Sequence, residues 1–173
     1  MTILGLDIDA ITNMKAKLGK YIKIMDLGEA KQIVGLELDR DMEAGTLKIK
    51  QTQYIKKVLE KFGMADSHPV STPLDPNIKL MKTPDDKHHD IPEYQSAIGL
   101  FMYAAIGTQP DISFAVQTLS QFMSNPSPAH WSAIKHIFWY LNGTHDLGII
   151  YCKGGEVEPL AYSDANWGAN VND

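Results

Sequence analysis

The stretch LAYSDANWGANVND, Leu160 to Asp173, sets a carboxylate at the end of an apolar run: Leu160, Ala161 and Tyr162 lead into Ser163 and Asp164, with Asn166, Trp167 and Gly168 behind. A carboxylate so placed is either a turn residue bonded to its own backbone or the first ligand of a site assembled from several segments. The residues alone leave both readings open. The six histidines offer less. His130 and His136 fall on different faces of a helix, His88 and His89 are adjacent in a polar loop, and Cys152 is the only cysteine. That set argues against a structural zinc site, which wants four converging Cys or His ligands. No glycine-rich phosphate loop, Walker motif or nucleophile elbow occurs. Asp7 and Asp9 stand at the start of a helical pattern, where capping and dipole roles suit them.

Charge supplies the second kind of chemistry. The chain carries a net charge of −5, but unevenly: through Gly63 eleven Lys and Arg meet nine Asp and Glu, and from Met64 onward five meet twelve. The cationic part holds Lys15, Lys17, Lys20, Lys23, Lys48, Lys50, Lys56, Lys57 and Lys61. Such lysines either solubilise exposed faces or contact phosphates, because local charge rather than net charge decides those contacts.

These side chains need elements to hold them. Ile8, Ile11 and Leu18 follow helical spacing. KQIVGLELDRD and TLKIKQ alternate apolar and polar residues around MEAG, which predicts a β-hairpin from Ile33 to Lys50. Tyr54, Ile55, Val58, Leu59 and Phe62 return to helical spacing and stop at Gly63, a natural C′ residue. Prolines 69, 73, 76, 84 and 92 then mark a long irregular connection and a lobe boundary. Three helices follow. The first carries Tyr94, Ile98, Phe101, Met102 and Ala105. The second has Thr108 and Asp111 flanking Pro110 in a capping-box arrangement, with Ile112, Ala115, Val116, Leu119, Phe122 and Met123 behind. The third is capped by Ser127, buries Trp131, Ile134, Ile137, Phe138 and Leu141, and ends at Asn142-Gly143. Two strands, LGIIYCK and EPLAYSD, complete the pattern.

The chain has 173 residues, 44% apolar and 21% charged, which is room for one domain or two small lobes and excludes disordered and collagen-like classes. A lone cysteine fits a reducing compartment. No apolar run approaches the roughly 18 residues that span a bilayer, and MTILGLDID is no signal peptide. A soluble intracellular chain with no membrane partner is expected, cytoplasm and nucleus not being distinguished.

Taken in order, MDLGEAKQIVGLEL, QTQYIKKVLEKFGM, STPLDPNIKL, YQSAIGLFMYAAIGTQPDISFAVQTLSQFMSNPSPAHWSAIKHIFWYLNGT, LGIIY and YSDANWG resemble the polymerase region of copia-type retrotransposon Pol polyproteins. The resemblance runs over nearly the whole chain. It implies an α+β fold: a partial reverse-transcriptase palm edge, primer-grip-like hairpin and first thumb helix over 1–63; a Pro-rich connection over 64–91; a helical thumb or connection region over 92–144; and over 145–173 the truncated start of a ribonuclease H-like sheet, its first two strands.

The resemblance also implies roles. The intact parent copies RNA into DNA and degrades the RNA strand, with Mg2+ as cofactor. Met1 would fall just after the paired polymerase aspartates, and Asp164 would be the first metal-binding carboxylate of the ribonuclease H centre. One aspartate cannot fix two octahedral ions, so the chain alone is expected to be inactive and to hold no Mg2+ stably. Lys48, Lys50, Lys56, Lys57 and Lys61 would contact the backbone of an RNA/DNA template–primer duplex. The alternatives are a non-catalytic nucleic-acid-binding or interaction module, or a functionless remnant. The chain departs from the family pattern at Gln109 and Trp139, where members carry arginine, and at Asn166, where they carry aspartate.

Overall fold

The computed structural model describes residues 2–5, 7–78, 80–82, 90–154 and 161–162. The elements run α1 (Ile8–Gly19), β1 (Gln32–Ile33), β2 (Leu36–Asp41), β3 (Thr46–Lys50), α2 (Thr52–Lys61), α3 (Ile91–Gly107), a 3₁₀ turn (Pro110–Ile112), α4 (Ser113–Ser120), α5 (Pro128–Thr144) and β4 (Gly148–Cys152). The fold is α+β: one antiparallel sheet and a group of packed helices.

Alternation builds the sheet, in the order β1-β2-β3-β4. The expected hairpin forms as β2–β3, starting at Leu36 rather than Ile33 because the chain reverses at Val34 and Gly35, with Glu37 opposite Lys50, Asp39 opposite Lys48 and Asp41 opposite Thr46. Its turn is shaped by the Asp41 carboxylate, which accepts from the backbone N–H of Glu43 and Ala44 at 2.9 and 2.8 Å. A second, tighter reversal joins β1 to β2 through Val34 and Gly35, both at positive φ, 49° and 80°. That is the type I′ pattern, which suits the twist of paired strands but is unusual for a β-branched residue. The expected strand LGIIYCK is β4, which adds to β3 with Ile149 opposite Ile49 and Gly148 opposite Lys50. Glycine is required at 148, because a Cβ there would stand 2.4 Å from the carbonyl oxygen of Ile49. The second expected strand, EPLAYSD, falls largely outside the described residues.

The core lies in the helices. Ile55, Val58 and Leu59 of α2 pack with Tyr94, Ile98 and Phe101 of α3, Ile112 and Leu119 around α4, and Ile134, Ile137, Phe138 and Leu141 of α5. Phe101 and Phe138 meet edge to face at 4.6 Å, and Phe62 lies 4.8 Å from Phe138. Gly63, at φ 64°, ends α2 in a Schellman motif. The N–H of Met64 reaches the Leu59 carbonyl at 2.8 Å and that of Gly63 the Glu60 carbonyl at 3.1 Å. Ser127 caps α5, its hydroxyl accepting from the His130 N–H while His130 Nδ1 accepts from the Ser127 N–H.

Three sequence expectations change in the folded chain. Met102 is 46% exposed, because it follows the buried Phe101 by one residue and so turns about 100° off the core face. The Thr108–Asp111 capping box does not form: the Thr108 hydroxyl donates to Gln51, and the Asp111 carboxylate accepts from the Tyr140 hydroxyl. Pro110–Ile112 make the 3₁₀ turn instead, with Gln109 ahead of it. Asn142-Gly143 does not end α5, which continues to Thr144. Asn142 instead donates to the Ser67 carbonyl at 2.7 Å, and a Cβ on Gly143 would stand 2.8 Å from Pro69 Cβ. The pair docks the proline-rich connection onto α5.

Candidate nucleic-acid interface

Strand periodicity places Lys48 and Lys50 on one face of β3, shared with Glu37, Asp39 and Asp41 of β2. Leu36, Leu38, Leu47, Ile49 and Ile149 take the opposite face. Lys48 and Lys50 therefore each stand directly opposite a carboxylate, a pairing that stabilises adjacent strands modestly. Neither lysine is in an ion pair among the described residues.

Lys56 and Lys57 are exposed on the outer face of α2, opposite its buried Ile55, Val58 and Leu59. Lys61 shares that side, but its ammonium donates to Ser96 Oγ at 2.9 Å and lies 5.4 Å from the Phe62 ring centre. It is tied to the start of α3, whereas Lys56 and Lys57 have no ion-pair partner among the described residues. The two lysine sets thus sit on consecutive elements separated by one residue, Gln51.

Two groups unmarked by any sequence motif hold this junction. Gln51 is the N-cap of α2 yet makes no side-chain cap. Glu37 supplies the missing bond from β2, its carboxylate accepting from the Gln53 N–H at 2.7 Å, where it also faces the positive end of the helix. A poor N-cap residue ahead of a strongly amphipathic helix was the available signal that a cap must come from elsewhere. Beneath the junction Tyr54 and Tyr103 pack edge to face at 4.8 Å. Burial, with the neighbouring Tyr103 adding to it, pushes the Tyr54 phenol up to about 12. Its hydroxyl donates to the Leu100 carbonyl and that of Tyr103 to the Val34 carbonyl, which ties the β1–β2 turn to α3.

The remaining site expectations divide plainly. Asp164 and Asn166 lie outside the described residues. Asp7 caps α1, accepting from the Asp9 N–H at 2.9 Å, as its position suggested. His130 is buried, stacked on Phe122 at 3.9 Å, and burial holds its imidazole below the usual range. Among the described residues no group of three or more His, Cys, Asp or Glu is placed to hold a metal ion. Gln109, one of the departures from the family pattern, is buried and donates from its amide nitrogen to the Thr144 carbonyl at the end of α5. Trp139 lies 5.9 Å from His136, ring to ring. Among the described residues no helix is long and apolar enough to cross a membrane.

A reverse transcriptase (RNA-dependent DNA polymerase) family model matches residues 1–76. The chain is 39% identical over 181 aligned positions to the retrovirus-related Pol polyprotein from transposon TNT 1-94 of Nicotiana tabacum, covering 99% of this chain and 13% of that protein. It is 37% identical to the Pol polyprotein from transposon RE1 of Arabidopsis thaliana and 33% to that from RE2 of the same plant. In each of these two, 99% of this chain aligns with 12% of the relative. The chain thus spans about an eighth of the length of these relatives. No solved structure matches it. Collinear identity over the whole chain, together with the family match across the hairpin and α2, establishes that the chain belongs to the copia-type retrotransposon Pol polyproteins and contains their reverse transcriptase-like region.

Proposed function

We propose that this chain supplies backbone grip on a template–primer duplex to a copia-type reverse transcriptase, and that the chemistry resides elsewhere in the polyprotein. In this reading the hairpin β2–β3 is the primer-grip-like edge of the palm and α2 the first thumb helix. Helices α3 to α5 form the thumb or connection region, and the chain from β4 onward begins a ribonuclease H-like domain. Asp164 is then that domain's first magnesium-binding carboxylate. Phosphodiester chemistry on two divalent ions needs several converging carboxylates, and Asp164 alone does not provide them.

The observation that carries the reading is the placement of Lys56 and Lys57. They stand exposed, with no ion pair among the described residues, on a helix fixed at both ends, by Glu37 at its start and by the Gly63 Schellman motif at its finish. Charged groups on a rigid element lose little entropy when they meet a phosphate row of fixed spacing.

Fluorescence anisotropy with a labelled RNA/DNA hybrid tests it. If Lys48, Lys50, Lys56 and Lys57 each neutralise a phosphate, the slope of log affinity against log salt is roughly −4. K56E/K57E should weaken binding at every salt concentration and flatten that slope by roughly 2. Absence of binding at about 50 mM salt, or a charge reversal that changes nothing, would reject the grip. It would favour an interaction module or a remnant without nucleic-acid affinity.

A further inference from the structure

We propose that Gln51 is a positioning residue that fixes the hairpin lysines relative to those of α2, locked by Thr108 and Gly107. The inference rests on the backbone-grip reading and names the part of the fold that makes a joint grip possible.

Gln51 is the single residue between Lys50, the last of β3, and Thr52, the first of α2. The turn from strand to helix is therefore made at its backbone, at φ −126° and ψ 35°. Its side chain is fully buried and reaches away from its own helix, toward the end of α3. There Oε1 accepts from the Thr108 hydroxyl at 2.9 Å. The amide lies flat against Gly107: a Cβ at that position would stand 2.4 Å from Oε1 and 3.0 Å from Nε2, so no other residue type fits without displacing the amide.

The lock is directional rather than merely adhesive. Gln51 Nε2 is buried with no hydrogen-bond partner among the described residues, and so is the neighbouring Thr52 hydroxyl. An unpartnered buried donor opposes folding, and Met would fill similar space without it. What the amide adds is an orientation, because a hydrogen bond to a fixed hydroxyl admits one placement where an apolar contact admits several. Glu37 braces the joint from the other side through the Gln53 N–H, and it shares its sheet face with Lys48 and Lys50. With both braces in place, the β3 and α2 lysines keep one spacing and can meet a single duplex together. With the lock removed, the hairpin lysines lose register with those of α2.

The test replaces both partners by apolar residues of similar shape, Q51M/T108V, so that no new buried group is orphaned. The variant is expected to keep its far-UV circular dichroism and cooperative melting. Its salt slope on an RNA/DNA hybrid should nevertheless fall by about 2, matching K48Q/K50Q, and combining all four substitutions should cost no more than either pair. T108S, which keeps the hydroxyl, should bind like the unmodified chain. A folded Q51M/T108V with an unchanged slope, or full additivity with K48Q/K50Q, overturns the positioning role while leaving the grip standing. Should Q51M/T108V not fold, T108V, which leaves the Gln51 carbonyl oxygen without its donor, is compared with T108S on the same slope, a drop in T108V alone supporting the lock and equal slopes overturning it. An unmodified chain that shows no salt-dependent binding overturns both proposals.

Discussion

The helices α2 to α5 and the segment formed by α1 and the sheet obey the same local rules but end in different states. Every fully buried apolar side chain among the described residues lies between Ile55 and Leu141. Helix α1 has a good N-cap in Asp7 and an apolar side at Ile8, Ile11 and Leu18, yet none of its residues is buried. In the sheet Leu36, Leu38, Leu47 and Ile49 are only half-buried. Local signals suffice to form a helix or a hairpin, but a core needs apolar faces that meet. Faces meet around Phe138, and they do not around α1.

That contrast can be broken by substitution. The largest effect is expected at Phe138, which is fully buried and touches the rings of both Phe62 and Phe101. Phe138→Ala should cost about 3–5 kcal/mol in chemical denaturation. Leu47→Ala on the half-buried sheet should cost clearly less. Equal losses would show that the sheet is as firmly packed as the helices.

A smaller effect is expected from pH at the α5 cap. Burial holds the His130 imidazole below its ordinary value, and its Nδ1 accepts from the Ser127 N–H, a bond that the protonated ring cannot make. The unfolded chain takes the proton first, at about pH 6.5. The stability linked to His130 is therefore complete above that pH and is lost progressively as pH falls below it. Denaturation midpoints at about pH 7.5 and 5.5, in the unmodified chain and in His130→Gln, isolate this share. The gap between the two pH values should shrink in the variant, and an equal gap would assign the acid sensitivity to other groups.

The smallest effect lies in the β1–β2 turn, where Val34 holds a φ of 49° and is largely exposed. Asn tolerates that conformation and is favoured in type I′ turns, so Val34→Asn should stabilise by about 1 kcal/mol at most. The gain should appear as a higher melting midpoint. No gain would mean that the bond from the Tyr103 hydroxyl to the Val34 carbonyl already fixes the turn.

Much of this fold was legible in the sequence because its signals are local. Alternation gave the β2–β3 hairpin, Gly63 the end of α2, and Ser127 with Pro128 the start of α5. Met102 apart, the misreadings share one cause. Thr108, Asp111, Asn142 and Gly143 have the composition of caps and terminators, but each is taken up by a distant partner: Gln51, Tyr140, Ser67 and Pro69. Competition between a local and a tertiary partner cannot be judged from residue type.

The candidate interface divides in the same way. The sequence by itself determined which residues carry charge and which elements hold them, because hydrophobic periods of two and 3.6 assign Lys48 and Lys50 to a strand and Lys56, Lys57 and Lys61 to a helix. It also determined the family, through motifs spread in order along the chain. Only the tertiary structure decided which of those lysines stay free. Lys61 is drawn to Ser96, 35 residues away, while Lys56 and Lys57 remain exposed. The joint between the two sets is likewise tertiary, made by Gln51 with Thr108 and by Glu37 with Gln53. The physical reason is that a side chain's charge belongs to its residue, whereas its direction depends on groups that meet only when the chain has folded.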